Sequence, residues 1–95
     1  MPAYMISLVE VTDMDQYQEY VKRAPAAHQK YGAKIIARGG RSLSLEGEAP
    51  PGRIVILEFE NLEQVEAFYN SPEYQEAKKH REGAAEFRMM AVEGA

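Results

Sequence analysis

Three charged side chains sit in or beside apolar stretches, where a charge needs a reason. Arg38 closes "AKIIAR", Glu58 lies within "RIVILEF", and Arg81 ends "EYQEAKKHR". A charge taken out of water needs a partner, either within the protein or on a ligand. A guanidinium at such a place can hold an anionic or carbonyl oxygen. Glu58 is a candidate acid or base, because burial raises a carboxyl pKa. The simpler reading pairs the charges internally, Arg38 with Glu46 or Glu58 and Arg81 with a carboxylate such as Glu58. His28 recurs with apolar residues on one helical face and could move a proton or rest as a hydrogen-bonded rim residue. Tyr17, Tyr69 and Tyr74 add rings that pack and hydroxyls that need partners. The candidate catalytic set is therefore Arg38, Glu58 and Arg81, and the candidate ligand-binding set is Tyr17, His28, Tyr69 and Tyr74.

Other chemistries find little support. The sequence has no Cys, so thiolate catalysis, disulfides and Cys-ligated metals are excluded. His28 and His80 have no metal-ligand spacing, and no metal or cofactor is expected. Haem-linked oxidation would depend on His28 as the axial ligand, a weak basis. Ser71 has no neighbouring base and reads as a helix cap rather than a nucleophile. "ARGGR" leads into strand-like residues and lacks the Gly-Lys-Ser/Thr ending of a phosphate loop.

The elements that position these residues follow from periodicity. "YMISLVEV" (Tyr4–Val11) reads as a strand. Thr12 is a candidate cap with Asp15 three residues on. Met14, Tyr17, Val21, Ala24, His28 and Tyr31 then mark a helical face, which Pro25 is expected to kink and Gly32 to stop. Strand-like halves flank Gly39-Gly40, suggesting a bulge or bend. "GEAPPG" reads as a turn and "RIVILEF" (Arg53–Phe59) as the most apolar strand. Asn61 caps a second helix, with Gln64 at the third position. That helix breaks near Asn70 and restarts at Pro72, with Ser71 as cap and Glu73 in the first turn. "FRMMAV" (Phe87–Val92) is the last strand.

The order β-α-β-β-α-β predicts an α+β, ferredoxin-like fold, one domain over residues 1–95. A four-stranded antiparallel sheet would carry two helices on one face. "IVILEF" does not alternate as a half-wet strand should. Its other face therefore needs a cover, and a second copy packed sheet to sheet is the simplest one. The expected partners are a second copy and a small-molecule ligand.

A net charge of −4 disfavours a general phosphate-backbone binder. Lys78, Lys79, His80 and Arg81 are interleaved with acids, as on a solvated helix. "RIVILEF" lacks the stacking aromatics of an RNA-recognition strand, so no nucleic acid is expected. No apolar run approaches a membrane span, no signal peptide is evident, and a cytoplasmic location is expected.

"YMISLVEVTDMDQYQEY", "YGAKIIARGG", "LEGE", "ILEF", "FYNSPEYQEAKKHREGAAE" and "AVEGA" together resemble the domain-of-unknown-function 1330 family. The resemblance covers nearly the whole chain in order. The family usually has Gly-Gly where this chain has Gly32-Ala33, and Pro-Ser where it has Glu60-Asn61. The resemblance implies a dimeric α/β barrel of the superfamily that holds cofactor-free monooxygenases, isomerases and ligand-sensing domains. It carries Arg38, Glu46, Glu58, Tyr69, Ser71, Tyr74 and Arg81 as motif polar residues, whereas His28 lies outside the motif. The expected function is a dimeric protein with a small-molecule pocket, a cofactor-independent enzyme of monooxygenase or isomerase type. Its substrate would be a small anionic or carbonyl compound. The alternative is a non-catalytic ligand-sensing or assembly module.

Overall fold

The computed structural model describes residues 1–50 and 52–95. The elements are β1 (Ala3–Val11), α1 (Met14–Lys30), β2 (Lys34–Arg38), β3 (Arg53–Phe59), α2 (Leu62–Tyr69), α3 (Pro72–Lys79) and β4 (Ala85–Glu93). The strands form one antiparallel sheet in the order β2-β3-β1-β4, with β1 and β3 at its centre. The expected α+β, ferredoxin-like order is present, with the second helical region divided into α2 and α3.

Strand alternation sets which residues meet the helices. Ala3, Met5, Ser7 and Val9 of β1 are buried, as are Leu57 and Phe59 of β3. The register pairs Met5 with Leu57 and Ser7 with Val55, so these residues share the helix-facing side. Phe59, Phe68, Tyr74, Leu57 and Val9 are the largest fully buried side chains. Burying each such group contributes about 1.5–3 kcal/mol.

The opposite sheet face carries Tyr4, Ile6, Leu8, Ile54 and Ile56 at intermediate exposure, beside exposed Met90 and Val92. Thus "IVILEF" is apolar on both faces because Val55 and Leu57 serve the core while Ile54 and Ile56 serve this second surface. Glu58 belongs to that surface too. It pairs with Tyr4 on β1 and Lys34 on β2, and its carboxylate raises the Tyr4 phenol pKa.

Several local expectations are corrected. Asp13, not Thr12, caps α1 by accepting from the Gln16 amide at 3.2 Å. The buried face of α1 is Tyr17, Tyr20, Ala24 and Ala27, whereas Met14 and Val21 are exposed. The helix therefore presents a face rotated from the one its apolar residues suggest. As expected, Pro25 lies inside the helix, which ends at Lys30 before Gly32, at φ 71°, supports the exit. Only the first half of the Gly39-Gly40 region is a strand. The register shift lies between Ile35 and Ala37, and residues 41–45 form no strand. The expected "GEAPPG" turn includes Pro51, which lies outside the described residues.

The joint between α2 and α3 is built as its sequence predicts. The Ser71 hydroxyl accepts from the Tyr74 amide at 3.1 Å and donates to the Phe68 carbonyl at 2.7 Å, with Pro72 opening α3. It satisfies the end of one helix and the start of the next. Ser71→Ala is therefore expected to cost about 1 kcal/mol, read as a lower urea midpoint at unchanged slope.

Candidate functional site

A cavity of about 400 Å³ lies between α1 and the helix-facing side of the sheet. Its floor includes Met5, Ser7, Val55, Leu57 and Met89, and α1 supplies Tyr17, Tyr20, Ala24 and His28. Arg38 and Arg53 enter from the neighbouring strands β2 and β3. Arg38 pairs with Val55, two residues beyond Arg53, so the two arginines are diagonal neighbours on one face. Neither has a carboxylate partner among the described residues. No Asp or Glu is among the described residues lining this cavity. It therefore combines an apolar body, hydroxyls of Ser7, Tyr17 and Tyr20, an imidazole, and two free cations.

His28 is half-buried, its ring 5.5 Å from that of Phe68. Burial, reinforced by the Arg38 charge, lowers its pKa below the ordinary 6.5. The neutral imidazole is thus favoured at neutral pH, the form able to accept a proton. A linkage follows. Below pH 6.5 the unfolded chain binds more protons at this residue than the folded one, so stability rises with pH there. Stability is expected to fall as pH drops from 6.5 towards the lowered folded value and then level off. Urea unfolding of His28→Gln at several pH values should show a shallower acid slope than wild type.

Tyr17 is buried beside Tyr20, ring centroids 5.6 Å apart. Burial raises its pKa, opposed by the charges of Arg53 and Arg81. It remains a neutral donor near pH 7.

The sequence-derived candidates divide into four locations. Tyr17, His28 and Arg38 meet at the cavity. Glu58 does not, because one-residue alternation turns it to the opposite sheet face. Tyr69 lines a separate recess of about 260 Å³ with Val65 and Met89, and Lys78 lies 5.3 Å from its ring centroid.

Tyr74 and Arg81 are buried behind the aromatic wall. Arg81 does not form the expected internal ion pair; among the described residues it has no carboxylate partner. Its guanidinium carbon lies 3.8 Å from the Phe87 ring centroid and 5.5 Å from that of Tyr20. Aromatic faces supply the negative surface a carboxylate would have provided. Arg38, Glu58 and Arg81 are therefore not brought together within one chain.

Arg53, Ser7 and Tyr20 were absent from the sequence-derived set. Period-two alternation from Leu57 could have found Arg53. Tyr20, three residues from Tyr17, was hidden by the apolar Val21 beside it.

The family model for DUF1330, a domain of unknown function, matches residues 2–95. The chain belongs to this family. Among curated proteins none matches. A DUF1330 chain of this shape is similar to a protein of unknown function from Rhodopseudomonas palustris, with 23% identity and TM-score 0.79, over 99% of this chain and 82% of that one. It is also similar to a dimeric ferredoxin-like protein of unknown function from Jannaschia, with 13% identity and TM-score 0.73, over 99% and 100%. SnoaB, a cofactor-independent oxygenase from Streptomyces nogalater, matches at 8% identity and TM-score 0.67, over 99% and 93%. At these identities the likeness establishes the fold. The helices of this DUF1330 chain include none long and apolar enough to cross a membrane among the described residues.

Proposed function

We propose that the cavity under α1 binds a small anionic or carbonyl compound and that His28 exchanges a proton with it without a cofactor. The observation that carries this reading is the pair of arginines, Arg38 and Arg53, facing a largely apolar cavity with no carboxylate partner among the described residues. Two such cations favour an anion, and a guanidinium matches a carboxylate or enolate in geometry. Neutral His28 would take a proton from the bound compound, while the electron pair left behind moves onto an oxygen held by the arginines. Return of that proton to another atom completes an isomerisation. The resemblance to a cofactor-independent oxygenase supports chemistry carried by side chains alone.

A second copy is the proposed cover of the opposite sheet face. Support comes from the apolar row Tyr4, Ile6, Leu8, Ile54 and Ile56, and from the dimeric state of the Jannaschia relative. Native mass spectrometry of freshly purified, untagged protein tests assembly and retained ligand together. A dimer carrying dissociable mass is expected; a monomer would overturn the sheet-to-sheet reading.

The binding claim has a simpler test in calorimetry with benzoate and with 3- and 4-hydroxybenzoate. Arg38→Ala and Arg53→Ala should each weaken binding of any of these anions by roughly tenfold or more, with added salt acting in the same direction. Unchanged affinity in both variants would remove the arginines from the site.

A further inference from the structure

We propose that Arg81, Tyr74 and Tyr20 form a directed hydrogen-bond relay that presents the Tyr20 hydroxyl as a donor to an oxygen of the ligand. This rests on the ligand-binding reading above and adds a specificity-determining residue, Tyr20. Tyr74 and Arg81 are its positioning residues. The chemical class it selects is a compact anion with a second oxygen, phenolic, enolic or carbonyl, placed deeper than the anionic group at Arg38 and Arg53.

The direction of the relay follows from donor and acceptor counts. Arg81 is 8% exposed, and its Nη2 donates to the Tyr74 hydroxyl at 3.3 Å. A guanidinium has donors only, so the Tyr74 oxygen accepts in that bond. Tyr74 is 0% exposed, and its hydroxyl proton needs an acceptor of its own. The Tyr20 oxygen, 3.0 Å away, is the acceptor available among the described residues. The reverse arrangement, with Tyr20 donating, would leave the Tyr74 proton buried and unpaired, which is costly. The chain therefore runs Arg81 to Tyr74 to Tyr20, and the Tyr20 proton is left over. Tyr20 lines the cavity, as do Tyr17 and Phe87, whose rings pack against it.

Two further features fit this role. Burial above all, with the neighbouring Tyr74, pushes the Tyr20 phenol far above its ordinary pKa, so it stays protonated. The Arg81 guanidinium is buried although its Nε has no hydrogen-bond partner and no carboxylate pairs with it among the described residues. A hydrophobic side chain could fill that space without the desolvation cost. A retained buried cation polarises the phenols in series, making the terminal hydroxyl a stronger donor.

The test has two parts. In the unliganded protein labelled with ¹³C-tyrosine, NMR should find a slowly exchanging hydroxyl proton on Tyr74 and a faster one on Tyr20. A protected Tyr20 proton with an exchanging Tyr74 proton would overturn the relay, whatever the cavity binds. In calorimetry, wild type should prefer 3- or 4-hydroxybenzoate over benzoate by about tenfold, the worth of a hydrogen bond to a strongly polarised group. Tyr20→Phe should erase that preference, so that the hydroxybenzoates bind no tighter than benzoate. Tyr74→Phe, which keeps the Tyr20 hydroxyl but cuts its link to Arg81, should reduce it in part. A preference that survives in Tyr20→Phe would overturn the donor role. If neither benzoate nor the hydroxybenzoates bind wild type, the ligand reading and the donor role that rests on it fall together. The NMR result then decides the relay by itself.

Discussion

Phe68→Ala is expected to lower stability by about 3–5 kcal/mol, the usual cost of emptying a fully buried aromatic site. Phe68 is 0% exposed and is the point where the helices and sheet meet. Its ring centroid lies 4.6 Å from Tyr74 on α3, 5.2 Å from Phe59 on β3 and 5.5 Å from His28 on α1. Few of these neighbours can shift to fill the void, because each is held by its own element. A small chain has about 5–15 kcal/mol in total, so the variant should melt tens of degrees lower. Calorimetric melting checks this. Loss of less than about 1 kcal/mol would mean that this aromatic cluster is not the centre of the core.

Gly52→Ala is expected to be as damaging for a different reason. Gly52 has φ 72°, where an L side chain is strained, and an added Cβ would sit 1.9 Å from the Val9 carbonyl oxygen. The colliding atoms are backbone of the central strand β1, so no side-chain rotation relieves the clash. Either β3 separates from β1 at Arg53–Val9 or its entry is rebuilt. A loss above about 3 kcal/mol is the expected outcome in urea unfolding, beyond the ordinary range for a point substitution. Gly40→Ala is the matched control. It meets nothing within 4 Å, and its effect should stay within about 0.5 kcal/mol. Arg53 begins directly after Gly52, so a folded Gly52→Ala protein should also bind benzoate more weakly.

Local features were the most legible. Ser71-Pro72 announced a cap and a restart because those residue types satisfy helix-end groups within one turn. Asn61 capped α2 as expected, accepting from the Gln64 amide at 2.8 Å. The Gln64 side chain, however, donates to the Tyr31 carbonyl rather than closing a reciprocal box. That partner lies 33 residues away, beyond the reach of local reasoning.

The face of α1 was harder. Apolar type suggested Met14 and Val21 as inner residues, but Tyr20 and Ala27 are the buried ones. A helix buries what its neighbours accommodate, and Tyr20 meets the Tyr74 hydroxyl on α3 and the Arg81 cation in the turn after it. Val21 remains 42% exposed at the cavity mouth.

The residue order, by itself, determined the family, the succession of strands and helices, and the caps of α2 and α3, because each rests on short-range geometry and periodicity. It also showed that "IVILEF" has two apolar faces. Only the tertiary structure decided which charged residue goes with which face. Glu58 was separated from Arg38 by the alternation of β3, and Arg81 was placed on Phe87 and Tyr20 rather than on a carboxylate. The physical reason is that a charge's partner depends on register and helix rotation, which long-range packing sets.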